Sequence, residues 1–175
     1  MNMNHIVVVP YEESWARRFD EERCLIEEAV AGLHNRVHHI GSTSVEGLQA
    51  KPIIDILLEV ADLQELDGRS RCFEAIGYEC LGEFGLPGRR YYRKGGISRT
   101  HQIHAFEWGS LDAQRHLAFR DYLRAHPVVA REYGELKQRV AKVCRHDITR
   151  YSEGKADFVK LHEQRALAWR EQMHP

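Results

Sequence analysis

Cysteine is sparse and scattered: the four residues at 24, 72, 80 and 144 form no C-x-x-C pair. That spacing argues against a zinc knuckle and fits reduced thiols. A charge bias is missing too. Lys and Arg number 25 against 26 Asp and Glu, for a net charge of −1. No global field therefore calls for nucleic acid or a membrane surface, and any binding must come from a local patch. No run is long and apolar enough to span a bilayer, and the opening MNMNHIVVVPYEESW lacks the basic start and long apolar core of a signal peptide. The expected location is cytoplasmic. Repeats, low-complexity tracts and Pro/Gly/Ser linkers are also absent, and 175 residues suit one domain with a real core better than two. Residues 1–175 are expected to form a single domain.

What is present is an ordered set of elements. HIVVVP is a short β-rich run closed by Pro10. Trp15, Phe19, Ile26 and Val30 recur at helical spacing between Ser14 and Leu33, with Gly32 near the helix end. RVHHI predicts a strand leading into Gly41-Ser42, TSVEGL a turn, and PIIDILLEV a central strand covered on both faces. LDGRSRCFEAIGY predicts a second helix ending near Gly77. RYYRKGG and RTHQIHAFEW, about Gly95-Gly96, predict an antiparallel hairpin. From Ser110 the pattern is helical, with Pro127 in the first turn of a new helix and SEGKADFVKLHEQRALAW forming the last. The class is α+β or α/β, a small mixed sheet with flanking helices.

The chemistry-bearing residues gather around HIGSTSVEGLQAKPIIDILLEV. A Gly-Ser turn with Thr43 and Ser44 can aim backbone N–H groups and hydroxyls at an anion, although the dipeptide alone reads as an ordinary turn. Lys51 and Asp55 within the next strand unit strengthen the anion-binding reading. Asp55, Leu57 and Glu59 share strand parity, but Glu59 lies about 13 Å along from Asp55, too far to share one ion. An Asp55 paired with Lys51 or an Arg is the competing reading.

On RTHQIHAFEW, His101 and His104 point to opposite faces, so one histidine rather than two can reach Asp55, as a metal ligand or hydrogen-bond partner. GRRYYRK is the densest basic cluster, with Arg90 and Arg93 as candidate phosphate ligands; a solvated charged hairpin is the alternative. Tyr151 and Lys155 are neighbours on one helix face, which makes Lys155 a candidate phosphate ligand. In FRDYLRAHP a structural role is expected, with Asp121 pairing an Arg.

Taken together, HIGSTSVEGL, AKPIIDILLEV, IGYEC, RTHQIHAF, FRDYLRAHP, EYGELK and YSEGKADFV resemble the GrpB family over nearly the whole chain. The resemblance implies an α+β, nucleotidyltransferase-like (polymerase-β-like) core. In active enzymes of that superfamily a Gly-Ser turn holds the triphosphate and two acids spaced D-x-D bind two divalent ions. Members of the family fused to dephospho-coenzyme A kinase point toward nucleotide or cofactor metabolism.

Gly41, Ser42 and Asp55 map onto the superfamily pattern, while Leu57 stands in the place of the second acid. Glu46 stands where the family usually has Pro, and Gln102 where His is common. The resulting expectation is a nucleotide or other phosphorylated small molecule as partner, with Mg²⁺ or Mn²⁺ as cofactor. Gly41, Ser42, Thr43, Lys51, Arg90, Arg93 and Lys155 would contact phosphate. Asp55 would be the catalytic residue and, with His104, a metal ligand. A degenerate, non-catalytic member used for ligand sensing or protein contact is the alternative. A hydrolase using His101 or His104 with Asp55 is a third class, for which no nucleophile motif is present.

Overall fold

The structure, a computed structural model, describes residues 5–174. Residues 1–4, the start of the stretch read for a leader, and residue 175 lie outside the described residues. The elements run α1 (Ser14–Ala29), β1 (Asn35–Ile40), β2 (Ile54–Val60), α2 (Leu63–Asp67), α3 (Ser70–Ala75), β3 (Tyr78–Cys80), β4 (Arg90–Lys94), β5 (His101–Glu107), α4 (Leu111–Ala125), α5 (Pro127–Val143) and α6 (Ile148–Met173). The strands form one sheet in the order β1-β2-β5-β4-β3; β2 and β5 are parallel and every other pair is antiparallel. This is the mixed sheet with flanking helices expected from the sequence.

Strand parity divides the sheet chemically. Ile54, Ile56, Leu58, Ile103 and Ala105 point to one face, where they pack with Trp15, Phe19 and Ile26 of α1, Leu66 of α2 and Phe73 of α3. That layer is the largest apolar cluster among the described residues and a main part of the burial driving the fold. One charge interrupts it: Glu22 of α1 is buried and bound by Lys94 Nζ at 2.8 Å. Leu57 and Phe106 point to the other face and pack under Ala113 and Leu117 of α4. Asp55, Gln102 and His104 share that second face, toward the end of the sheet where β1 runs into the Gly41 turn.

Several local expectations shift. The first helix ends at Ala29 rather than near Leu33. HIVVVP contributes only a bridge between Val9 and Ala50, because Ile6 and Val8 pack against Val140, Cys144 and Tyr151 of the C-terminal helices instead. The helix expected up to Gly77 is two short ones, broken where Gly68, a poor helix former, follows Asp67 and Ser70 Oγ donates to the Asp67 carbonyl. Helices α5 and α6 approach closely at Gly154, where an added Cβ would lie 2.6 Å from Val140 Cγ1. That contact sets Lys155 beside α5. Among the described residues no helix is long and apolar enough to cross a membrane.

Candidate functional site

β1 ends at Ile40, directly opposite Asp55 on β2, and the chain then turns through Gly41 into a single tight helical turn, Ser42–Ser44. Gly41 has φ 69° and ψ −174°, a conformation essentially reserved for glycine. Helix α4 buttresses the turn from outside: Arg124 donates twice to the Ser44 carbonyl, at 2.9 and 2.7 Å, and Arg120 donates to the His39 carbonyl. Arg120 also pairs with Asp121 at 2.8 Å, the structural role expected for that segment. Inside the turn, Thr43 Oγ1 sits 2.9 Å from His39 Nε2 and donates to the Ile53 carbonyl. Its hydroxyl is thus committed to holding the turn.

Asp55 is 31% exposed at its side chain and opens into a cavity of about 250 Å³. His104 Nε2 lies 3.7 Å from Asp55 Oδ1, an ion-pair distance rather than a hydrogen bond. With its amide oriented to satisfy both neighbours, Gln102 donates to Asp55 Oδ1 at 3.3 Å and accepts from Arg99 at 3.2 Å. Burial alone would raise the Asp55 carboxyl. The His104 ring and the Lys51 and Lys155 ammonium groups outweigh it and hold the acid below its usual range. Behind His104 stands His116 of α4, ring centroids 5.4 Å apart, its pKa driven to about 3 chiefly by burial. It is a neutral wall.

Three lysines complete the lining. Lys51 and Lys155 flank the Tyr151 ring, their Nζ atoms 5.0 and 4.7 Å from its centroid. Lys137 of α5 is 2% exposed, and its Nζ, 4.6 Å from the Tyr133 ring centroid, has no hydrogen-bond partner among the described residues. Burial first, then repulsion from Lys155 and Lys51, lowers the Lys137 pKa to about 6 against the pull of Asp55. Lys155 falls to about 8 for the same reasons, burial leading and Lys51 following. Lys51 is also lowered, mainly by burial.

Gly41, Ser42, Thr43, Lys51, Asp55, His104 and Lys155 line one cavity. Arg90 and Arg93 do not join them. Arg90 stands opposite Ala105 on the other face of the sheet, and its guanidinium is held by Asp67 at 2.6 and 2.9 Å. Arg93 shares the site's face but sits two strands from β2 and is paired with Glu79 at 2.7 Å. His101 faces Glu22 on the far side, 3.6 Å away.

Lys137 and His116 are the titratable lining residues that the sequence did not single out. Lys137 carried a signal: it interrupts the buried stripe Ala130, Tyr133, Gly134, Val140 at helical spacing. A larger cavity of about 660 Å³ lies across the turn, but its Arg124 is already spent on Ser44.

The donor set does not fit a two-ion centre. Leu57 is fully buried beneath α4, and Glu59 is bound by His38 Nε2 at 2.9 Å and by the Gly109 amide at 3.3 Å. Asp55 is the one carboxylate in the lining. Among the described residues no group of three or more His, Cys, Asp or Glu is placed to hold a metal ion.

A mixed sheet that folds a Gly-Ser turn onto the acid heading the next strand, with helices stacked over the same face, defines a nucleotidyltransferase-like fold. A cytoplasmic RNA terminal U-transferase shares it with a TM-score of 0.50 at 11% identity, over 74% of this chain and 42% of that one, a likeness of fold alone. The chain belongs to the GrpB family, whose description "GrpB protein" matches residues 5–165. The crystal structure of the conserved protein GrpB from Enterococcus faecalis superposes with a TM-score of 0.88 at 43% identity, covering 93% of this chain and 98% of that one. The UPF0157 protein YqkA of Bacillus subtilis is 42% identical over 165 residues, 94% of this chain and 48% of that protein. This chain thus spans about half the length of that relative.

Proposed function

We propose that this chain binds a nucleotide or related phosphorylated small molecule in the cavity between the Gly41–Ser42 turn and helices α5 and α6. One observation carries the reading: Lys51, Lys137 and Lys155, from three separate parts of the chain, converge with Ser42 on a cavity lined by a single carboxylate. Lys137 is buried and Lys51 and Lys155 are half-buried, and charging all three amines together is unfavourable without an anion among them, so the arrangement is explained by a ligand that brings negative charge. Asp55 then accepts a hydrogen bond from a ligand hydroxyl, positioned by Gln102 and neighboured by His104.

The test is calorimetric titration with a panel of nucleoside mono-, di- and triphosphates, with and without Mg²⁺ or Mn²⁺. Ser42→Ala and Lys155→Gln should weaken binding by about tenfold or more each, a hydrogen bond to a charged group being worth about 1.5–3 kcal/mol. Absence of binding by any member at millimolar concentration would sink the proposal.

A second reading, nucleotidyl transfer to an acceptor hydroxyl, is favoured by Asp55 heading β2 beside the Gly-Ser turn. Pyrophosphate release from a nucleoside triphosphate, lost in Asp55→Ala, would select it. The buried Leu57 and the engaged Glu59 favour the binding reading instead.

A further inference from the structure

The cavity holds a charge pattern that narrows the ligand, given the phosphate-binding reading above on which this inference rests. Lys51, Lys137 and Lys155 set three amines, each able to take up a proton, against the single carboxylate of Asp55. Fully protonated, the group leaves two positive charges uncompensated. Lys137 adds an independent sign, since its Nζ is buried without a hydrogen-bond partner although its residue lines the cavity. A buried donor with no acceptor is rare in a folded protein and calls for an explanation. The four-carbon stem lets that ammonium swing toward an oxygen entering beside it.

The size of the cavity points the same way. At about 250 Å³ it lies just below the range of pockets that enclose a whole drug-sized ligand. It has room for a phosphate head group and part of what the phosphate is attached to. A divalent ion at Asp55 would sit among three lysine amines with one carboxylate beside them, a poor setting for a hard cation that favours oxygen ligands.

We propose that the occupant is a phosphate-monoester dianion, held by the ammonium groups of Lys51, Lys137 and Lys155 with no bridging divalent cation. The monoester carries close to two negative charges at neutral pH, its second pKa being about 6, and so matches the surplus. Lysine supplies the positive charge that metal ions supply in a two-ion site. The walls of Ile40, Ile53, Tyr151 and uncharged His116 keep the surroundings weakly polar, which strengthens each charge-assisted contact.

Titration of the intact chain with inorganic phosphate, AMP, ribose 5-phosphate and ATP, in EDTA and again with Mg²⁺, tests this. The expected result is binding of AMP or ribose 5-phosphate in EDTA, unchanged within about twofold by Mg²⁺ and weakened at least tenfold by Lys137→Met. Lys155→Gln is the second variant, and far-ultraviolet circular dichroism with thermal unfolding verifies that both are folded. Binding of inorganic phosphate but of no ester would remove the monoester and leave a free-anion site. Binding that requires Mg²⁺, or that favours ATP over AMP in EDTA by tenfold or more, would overturn the metal-free monoester while leaving phosphate binding intact. Absence of binding by all four compounds in both conditions would overturn the underlying phosphate reading as well.

Discussion

Gly41 and Asp55 are packed so closely that a Cβ added to the glycine would stand 2.7 Å from Asp55 Oδ2 and 3.0 Å from its Cβ. The turn thus lies directly on the acid, and the glycine's positive φ is what permits it. Two penalties fall on Gly41→Ala, one from backbone strain and one from overpacking, together about 2–6 kcal/mol. Urea unfolding should register that loss, and ligand binding should fall with it. A variant within about 0.5 kcal/mol of the wild type, the range of ordinary surface substitutions, would mean that the turn relaxes freely away from Asp55.

Lys137 should make the ligand-free protein less stable than it could be. Its pKa is lowered from 10.5 to about 6, so between those values the unfolded chain binds the proton that the folded chain has released. Stability attributable to this group therefore rises with pH across that window, and its destabilisation is greatest below about pH 6. Lys137→Met, which keeps the volume and removes the charge, is expected to stabilise the empty protein by about 1–4 kcal/mol at the acid end. The gap between variant and wild type should shrink as pH rises. Thermal unfolding from pH 6 to pH 9 reads it directly; a gap that is constant or grows with pH would contradict the assignment.

The hairpin arginines provide a contrasting prediction. Arg90 and Arg93 are neutralised by Asp67 and Glu79, away from the cavity. Arg90→Ala and Arg93→Ala should each change the AMP dissociation constant by less than about twofold, since surface ion pairs outside a site contribute about 0–1 kcal/mol to stability and nothing to contact with the ligand. A tenfold loss in either would place the ligand over β4 rather than beneath α5.

Those arginines also mark the limit of what the sequence made legible. Residues 41 to 55 are contiguous, so turn chemistry and strand parity were enough to set Ser42, Lys51 and Asp55 together. Opposite parity separated His101 from His104 correctly. The apolar spacing of Trp15, Phe19, Ile26 and Val30 placed α1 against the sheet, where all four are buried.

Charge density on a hairpin, by contrast, says nothing about which partner neutralises it, and Asp67 lies 23 residues from Arg90. Lys137 and His116 reach the cavity from helices whose docking is set by tertiary packing, including the tight contact at Gly154. Their only trace in the sequence is a polar residue inside or beside an apolar stripe. HIVVVP shows the same effect in the fold: β propensity was present, but the C-terminal helices took its side chains.

If the lysines of this cavity hold the phosphate, binding must draw protons from solvent. At pH 8 Lys137 is uncharged and Lys155 about half charged in the empty protein. AMP is already dianionic there, its second pKa being about 6. An anion among the lysines favours their charged forms, so each AMP bound should bring about one proton from solvent. Calorimetry in buffers of different ionisation enthalpy measures that number. Uptake of about one proton is expected in the wild type and markedly less in Lys137→Met. Binding with no net proton exchange, or with the same uptake in both proteins, would contradict it.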